Sequence, residues 1–352
     1  MSPTLPPTRI ARRARRAIAG AALVVAAVPA PGRAQSEPAR PTMASVYDDQ
    51  ARLRALRTVA RADTLLRAGR VAAAEALYYD AARRRPRDPA PRLALGRYLA
   101  SRGATRIGIV LIEEARRFGA PPTLAGLHLA PLYTRVGAWR ALAELPPSAL
   151  GEGARARAAW LSDRTSAVEG PDTVQVPLVR TGSAGSLGAV VLRFGGDSVI
   201  AEIDPERDGI VLDRSRMSGT TGALRRFPEV ARPGLDPRAV VGVVERLGLG
   251  AYTFTNVPVS FATLGGAAQA RIGLDVLAPL APTVHGRTLT LRRTGRVSAS
   301  GTRHPLLLEP TVGARVGRLN RLEAFDERLL AELREARWTI DPRMGELVVE
   351  RP

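Results

Sequence analysis

Asp204 is the residue whose type and position most directly suggest chemistry in this sequence. It lies in AEIDPERDGIVLD, residues 201–213, between two apolar runs that predict short strands. An aspartate on a tight turn between strands can activate water when a second acid shares a proton with it. That chemistry favours a small hydroxyl residue and a glycine next, but the turn continues with Pro205 and Glu206. Proline lacks a backbone N–H and glutamate adds bulk and charge, which argues against a working site.

Two interpretations of this turn remain open. In the first, Asp204 still activates water, with Glu206 or Asp208 as a further acid. In the second, aspartate, proline, glutamate and glycine are simply residues that polar turns favour. The pattern favours the second interpretation, in which the turn is what remains of an active site.

The region around the turn has the composition of a small β domain. From Val174 onward, short runs rich in valine, leucine and threonine alternate with glycine-bearing turns. This spacing predicts a small, mainly antiparallel sheet or barrel.

The order of the motifs in this region resembles the retropepsin-like aspartic proteases over roughly residues 174–293. That family reads Asp-Thr-Gly-Ala-Ser-Gly before a short apolar strand, and Gly209 follows Asp204 at the interval of the second glycine. RTLTLRR, residues 287–293, resembles the closing strand. A further segment resembles the pattern LxLGxxxxxNVPV, with Leu249-Gly250 and Asn256-Val257-Pro258-Val259 at the matching positions. Another resembles ILGxDxL through Ile272-Gly273, Asp275 and Leu277.

The resemblance implies an acid-protease β-barrel with Asp204 at the position of the catalytic aspartate. In the family, two such aspartates, one from each lobe or subunit, share a proton and polarise a water molecule. The hydroxyl residue braces the lobes, and the glycine offers its N–H to the carboxylate. Pro205 and Glu206 replace both, so the resemblance implies a degenerate catalytic motif. A single lobe would need a homodimer to assemble the pair.

A helical region precedes the β domain. Gly69, Gly103 and Gly137 lie 34 residues apart, which is the period of a helix-turn-helix repeat. Similar offsets place Ala74, Tyr78 and Ala81, then Gly108, Ile112 and Ala115, on inward helix faces. The segment resembles tetratricopeptide repeats, and an ordinary helical bundle is the alternative. The resemblance implies a groove for an extended peptide or helix, and so short an array is expected to lean on the next domain.

The first 34 residues have the pattern of an export signal. Five arginines between Arg9 and Arg16 precede the apolar run Ala17 to Ala30, and Gly32-Arg33-Ala34 suits a signal peptidase. A retained membrane anchor is the alternative. Removal of this leader, which carries six arginines and no acid, lowers the formal net charge from +19 to +13. We therefore expect a periplasmic or extracellular protein without an integral membrane span, and the absence of cysteine excludes disulfides.

The charge and the histidines exclude several other classes of function. All 52 basic residues are arginine and they are scattered, without a basic stripe interleaved with aromatic residues, so we expect no nucleic-acid binding. His128, His285 and His304 lack the spacing of metal ligands or of a nucleophile–base pair. With no nucleotide motif either, we expect no metal and no cofactor.

The predicted organisation is that of a multidomain α + β protein. Its parts are a signal peptide, 1–34; a disordered lead-in, 35–49; a tetratricopeptide-like helical domain, 50–167; a linker, 168–173; a retropepsin-like β domain, 174–296; and a C-terminal extension, 297–352. The extension is expected to contain a helix and a closing hairpin, Trp338 to Ile340 with Glu346 to Glu350. That hairpin either completes the first sheet or belongs to a reduced second lobe.

Three functions fit this organisation. The leading hypothesis is an inactive aspartic-protease-like protein that binds polypeptide in the former cleft, the helical groove or both. The second is an active peptidase, a homodimer that uses Asp204 from each subunit. The third is a structural role in the cell envelope.

Overall fold

The computed structural model describes residues 43–179, 185–217, 224–228, 240–265, 268–293, 297, 299–310, 313–318 and 321–350. The predicted signal peptide, 1–34, lies outside these residues. The chain divides into a short unit, Met1–Val46, and a compact unit, Tyr47–Pro352, which contains every contact discussed below. Among the described residues, no helix combines the length and apolar character needed to cross a bilayer.

Helices fill the described chain up to residue 161. They are α1, Met43–Arg67; α2, Val71–Arg84; α3, Pro89–Ser101; α4, Thr105–Arg117; α5, Pro122–Val136; α6, Trp139–Ala143; and α7, Glu152–Leu161. Helix α1 begins inside the segment expected to be a disordered lead-in. Gly69, Gly103 and Gly137 each lie between two successive helices, with φ values of 71°, 89° and 69°. The residues expected to face inward are buried: Ala74, Tyr78, Ala81, Gly108, Ile112 and Ala115.

The first sheet is a closed six-stranded barrel, and two further strands pair with it. Its strands are β1, Val168–Glu169; β3, Ala189–Phe194; β4, Asp197–Ile203; β5, Ile210–Asp213; β6, Leu224–Pro228; β7, Val240–Leu249; β8, Tyr252–Ala262; and β9, Ala270–Ile272. The barrel runs β8-β5-β9-β4-β3-β7, and β7 pairs back to β8. Strand β1, in the predicted linker, pairs with β8, while β6 pairs with β7.

The barrel is mixed, which refines the expectation of a mainly antiparallel sheet. Strand β4 is parallel to β9, and β5 is parallel to β8, whereas the other described pairings are antiparallel. The short turns of the sequence predict hairpins between neighbours in the chain. They do not show that β5 inserts between β8 and β9, two strands that follow much later.

The second sheet joins the C-terminal extension to the predicted β domain. Its strands are β2, Thr173–Pro177; β10, Thr283–His285; β11, Thr288–Arg292; β12, Thr302–Glu309; β13, Gly313–Arg318; β14, Arg321–Ala324; β15, Arg337–Asp341; and β16, Glu346–Glu350. Their order is β14-β13-β12-β16-β15-β10-β11-β2. The closing hairpin β15–β16 therefore pairs with β10 and β12 in this sheet and does not complete the barrel. Helices α8, Leu274–Leu277, and α9, Glu327–Glu335, complete the fold.

The helical region is docked on the β region through the turns between its helices. A Cβ atom at Gly69 would collide with the backbone of Arg321, so this position needs glycine for its left-handed φ and for close approach. Arg102 lies beside Gly103, in the turn between α3 and α4. Its guanidinium donates to the carbonyl oxygens of Leu306 at 3.0 Å, Gly345 at 2.6 Å and Met344 at 3.0 Å. These contacts join the helical region to the second sheet.

Candidate functional site

The Asp204 carboxylate is already bound by groups of its own chain. Its Oδ1 accepts a hydrogen bond from Glu206 N at 2.9 Å, which is the local turn that aspartate favours. Its Oδ2 accepts from Arg271 Nη1 at 3.0 Å, and the Arg207 Nε lies 3.7 Å from the same oxygen. The side chain is only 10% exposed. Both carboxylate oxygens of Asp204 therefore already accept hydrogen bonds from groups of the same chain.

Strand register explains why Arg271 meets Asp204. Strands β4 and β9 run parallel with Glu202 opposite Arg271 and Ile203 opposite Ile272. Side chains alternate along strands, so the two buried isoleucines face the barrel core while Glu202 and Arg271 face away from it. Asp204 follows directly after β4 and lies within hydrogen-bonding distance of the Arg271 guanidinium. In this ion-pair cluster Arg271 contacts both acids, with its Nε 4.0 Å from Glu202 Oε2, and Arg207 flanks Asp204.

The backbone of the Asp204 turn is covered by the start of β13. Ala314 N donates to Pro205 O at 2.6 Å. A Cβ atom at Gly313 would lie 2.6 to 2.7 Å from the backbones of Pro205 and Glu206, so only glycine permits this approach. The start of β13 therefore packs directly against the backbone of this turn.

A second pair of acids lies a few residues further on, at Asp208 and Asp275. Gly209 N donates to Asp275 Oδ1 at 2.9 Å and Oδ2 at 3.1 Å, and its φ of 71° lets the turn present this N–H. The pKa of Asp275 is raised to about 7, first by burial and then by the neighbouring Asp208, while the Gly209 N–H and Arg135 act in the opposite direction. Asp275 therefore binds its proton more tightly than an ordinary aspartate does.

Arg135 brings the helical region to this acid pair. It lies in the last turn of α5, which ends at Gly137 in the left-handed conformation. Its Nη2 lies 3.4 Å from Asp208 Oδ1, and its side chain is 12% exposed. Its buried Nη1 has no hydrogen-bond partner among the described residues. Arg135 therefore keeps one donor available beside the two acids.

The acid pair and Arg135 lie in the wall of a cavity of about 750 Å³. Apolar side chains from the helices and from strands β7 and β8 make up much of the rest of the wall, with Trp139, Val241, Phe254, Val257 and Leu280 among them. Asn256, also in the wall, has a φ of 54° and donates from Nδ2 to Thr165 O at 2.8 Å. Cavities of this size typically hold small ligands.

The other residues considered in the sequence do not join either cluster. Glu206 is exposed and contributes only its backbone N–H to Asp204. Burial, followed by the charge of Arg97, lowers the pKa of His128 to about 4. Within the described ranges, no group of three or more histidine, cysteine or acidic side chains has the geometry of a metal site. The prediction named Asp208 as an acid and Asp275 as a motif residue, but it missed their pairing and missed Arg135.

Comparison with known proteins finds similarity among solved structures. No protein-family description matches this chain, and no curated protein matches it in sequence. A crystal structure of a retropepsin-like aspartic protease from Rickettsia conorii is similar to 36% of this chain and 94% of its own, with 13% identity and a TM-score of 0.25. A likeness at that TM-score adds nothing about activity.

Proposed function

We propose that this protein binds polypeptide and does not use Asp204 to cleave it. The observation that carries the proposal is the 3.0 Å hydrogen bond from Arg271 to Asp204, which holds the carboxylate in an ion pair. Pro205 and Glu206 remove the hydroxyl brace and the glycine, and β13 covers their backbone. On this proposal, the retropepsin-like barrel has a degenerate catalytic turn.

Helix α5 offers the surface that best fits a polypeptide. Leu124, Leu127, Pro131 and Arg135 follow each other at intervals of three and four residues, and so share one helix face. Leu124 and Leu127 are 41% and 52% exposed, whereas Pro131 and Arg135 line the cavity. The face extends about 16 Å at 1.5 Å per residue, enough for about five residues of an extended chain. We place the ligand along this face, in a helical array of tetratricopeptide-like hairpins.

Binding of unfolded β-casein, followed by fluorescence anisotropy, tests this proposal. Leu127→Glu should weaken binding about tenfold, because a charge replaces an apolar contact of about 1.5 kcal/mol. Asp204→Asn should leave the affinity unchanged. Ile107→Glu, on helix α4 and 57% exposed, is the matched control. An equal loss in both glutamate variants would remove α5 as the binding surface, and no binding by the wild type would end the proposal.

We also propose that the mature chain is exported, because residues 1–34 have the composition of a signal peptide. Mass spectrometry of the exported protein should find its N-terminus at or near Gln35. Recovery of a chain that starts at Met1 from the cytoplasm would contradict export. A homodimer that pairs two Asp204 residues is not favoured, since Ala314 occupies the adjacent backbone of Pro205.

A further inference from the structure

The 750 Å³ cavity contains the parts of a hydrolytic site that does not include Asp204. Asp208 and Asp275 lie in its wall, close enough for Asp208 to raise the pKa of Asp275. The Gly209 N–H holds Asp275 in place from the turn, with distances of 2.9 and 3.1 Å to its two oxygens. Two adjacent acids that share one proton can act together as general base and general acid.

Arg135 supplies the third element that acyl-group hydrolysis requires. Its Nη2 pairs with Asp208 at 3.4 Å, while its buried Nη1 has no hydrogen-bond partner in the described part of the chain. A donor in this position can stabilise the negative charge that develops on a carbonyl oxygen during attack. The mainly apolar wall of the cavity would bind the remainder of an acyl compound.

We propose that Asp208 and Asp275 form a catalytic acid pair that hydrolyses an ester or amide of a compact, mainly apolar acyl compound in this cavity. This activity goes beyond polypeptide binding and does not depend on it. The size of the cavity suits a small substrate. The proposed polypeptide site shares Pro131 and Arg135 with the cavity wall and continues along α5 to the exposed Leu124 and Leu127.

The proposed reaction consumes one water molecule from solvent. Asp208 takes a proton from this water as the water oxygen bonds to the carbonyl carbon, and Asp275 and Arg135 donate hydrogen bonds to the carbonyl oxygen. The carbon–leaving-group bond then breaks, and the leaving group takes up a proton from the pair. The products are a carboxylic acid and an alcohol or amine, and the pair again holds one proton.

The charges around the pair set the expected pH dependence. Burial, followed by Asp208, raises the pKa of Asp275 to about 7. The charged side chains that line this cavity with the pair are Arg135, Arg157 and Arg164, and Arg102 lines the smaller cavity that Asp275 also reaches. The loss of activity above about pH 7 should therefore follow the deprotonation of Asp275.

Hydrolysis of p-nitrophenyl hexanoate by the full chain tests the proposal. Asp208→Asn and Asp275→Asn should each lower kcat about 100-fold or more, with KM nearly unchanged, because they remove the base or the acid. Arg135→Gln should lower kcat and shift the pH profile. Asp163→Asn, an exposed aspartate outside the cavity wall, is the matched control and should leave the rate unchanged.

Melting curves distinguish a lost catalytic group from a lost fold. Asparagine at position 275 still offers Gly209 an acceptor, so this variant should retain a cooperative transition. A folded Asp208→Asn variant with the wild-type rate would overturn the proposal. Wild-type hydrolysis no faster than that of the two asparagine variants, or a rate independent of pH from 5 to 9, would also overturn it.

Discussion

Arg271 Nη1 lies 3.0 Å from Asp204 Oδ2, and the two residues are 67 positions apart in the chain. The parallel pairing of β4 with β9 creates this contact, since it sets Arg271 beside Glu202 at the end of β4. The acid that the sequence marks as catalytic is therefore part of a largely buried ion pair. Its hydrogen bonds link the turn to the barrel.

Removal of the arginine should cost much more stability than its exposure suggests. Arg271→Met leaves Asp204 and Glu202 without their shared cation in a largely buried place, and we expect a loss of about 3 kcal/mol in the free energy of unfolding. Asp204→Asn in the Arg271→Met background should recover part of that loss. Urea unfolding of the four variants of the cycle measures the coupling, and additive losses would show that the pair has no structural role.

Glycine substitutions test how the helical region is docked. Gly69→Ala should strain a φ of 71° and drive a methyl group into the backbone of Arg321, at a cost well above about 1 kcal/mol. Gly119→Ala is the control, because its φ of 98° is also left-handed but no atom lies within 4 Å of the added Cβ. If thermal unfolding shows equal losses for the two variants, the close contact with Arg321 is absent in solution.

Burial of Asp275 predicts a pH-dependent stability. Because its pKa is raised to about 7 in the folded protein, the folded state binds this proton more tightly than the unfolded chain, where the ordinary value is 3.8. Its contribution to stability is fully present below about pH 4 and is lost as the pH rises through 7. The free energy of unfolding of Asp275→Asn, relative to that of the wild type, should therefore increase between pH 4 and 7. A constant difference would contradict the raised pKa.

Overpacking tests the inward faces of the helices. Ala81 and Ala115 are fully buried, so Ala81→Leu and Ala115→Leu should each cost about 1–3 kcal/mol. Ala72 lies on the exposed side of α2, and Ala72→Leu should be nearly neutral. Equal melting temperatures for the three variants would contradict the packing of the helical hairpins.

The sequence predicts local features of this protein well and long-range ones poorly. Gly69 and Ala81 could be assigned because the period of a helix hairpin depends on neighbours in the chain. The roles of Arg271 and Arg135 could not, since each acts through a contact with a distant segment. Asp275 matched a motif, but its pairing with Asp208 requires knowledge of how the Gly209 turn approaches α8. Contacts between parallel strands, or between two distant regions of the chain, cannot be predicted from short sequence patterns.

The most direct test of the central claim is cleavage of unfolded β-casein between pH 3 and 7, with the Asp204→Asn variant beside the wild type. Because Arg271 holds the Asp204 carboxylate at 3.0 Å, we expect no cleavage that depends on Asp204, and the two proteins should give identical fragment patterns. Cleavage by the wild type that is abolished in Asp204→Asn and blocked by a transition-state-mimicking aspartic-protease inhibitor would contradict this account.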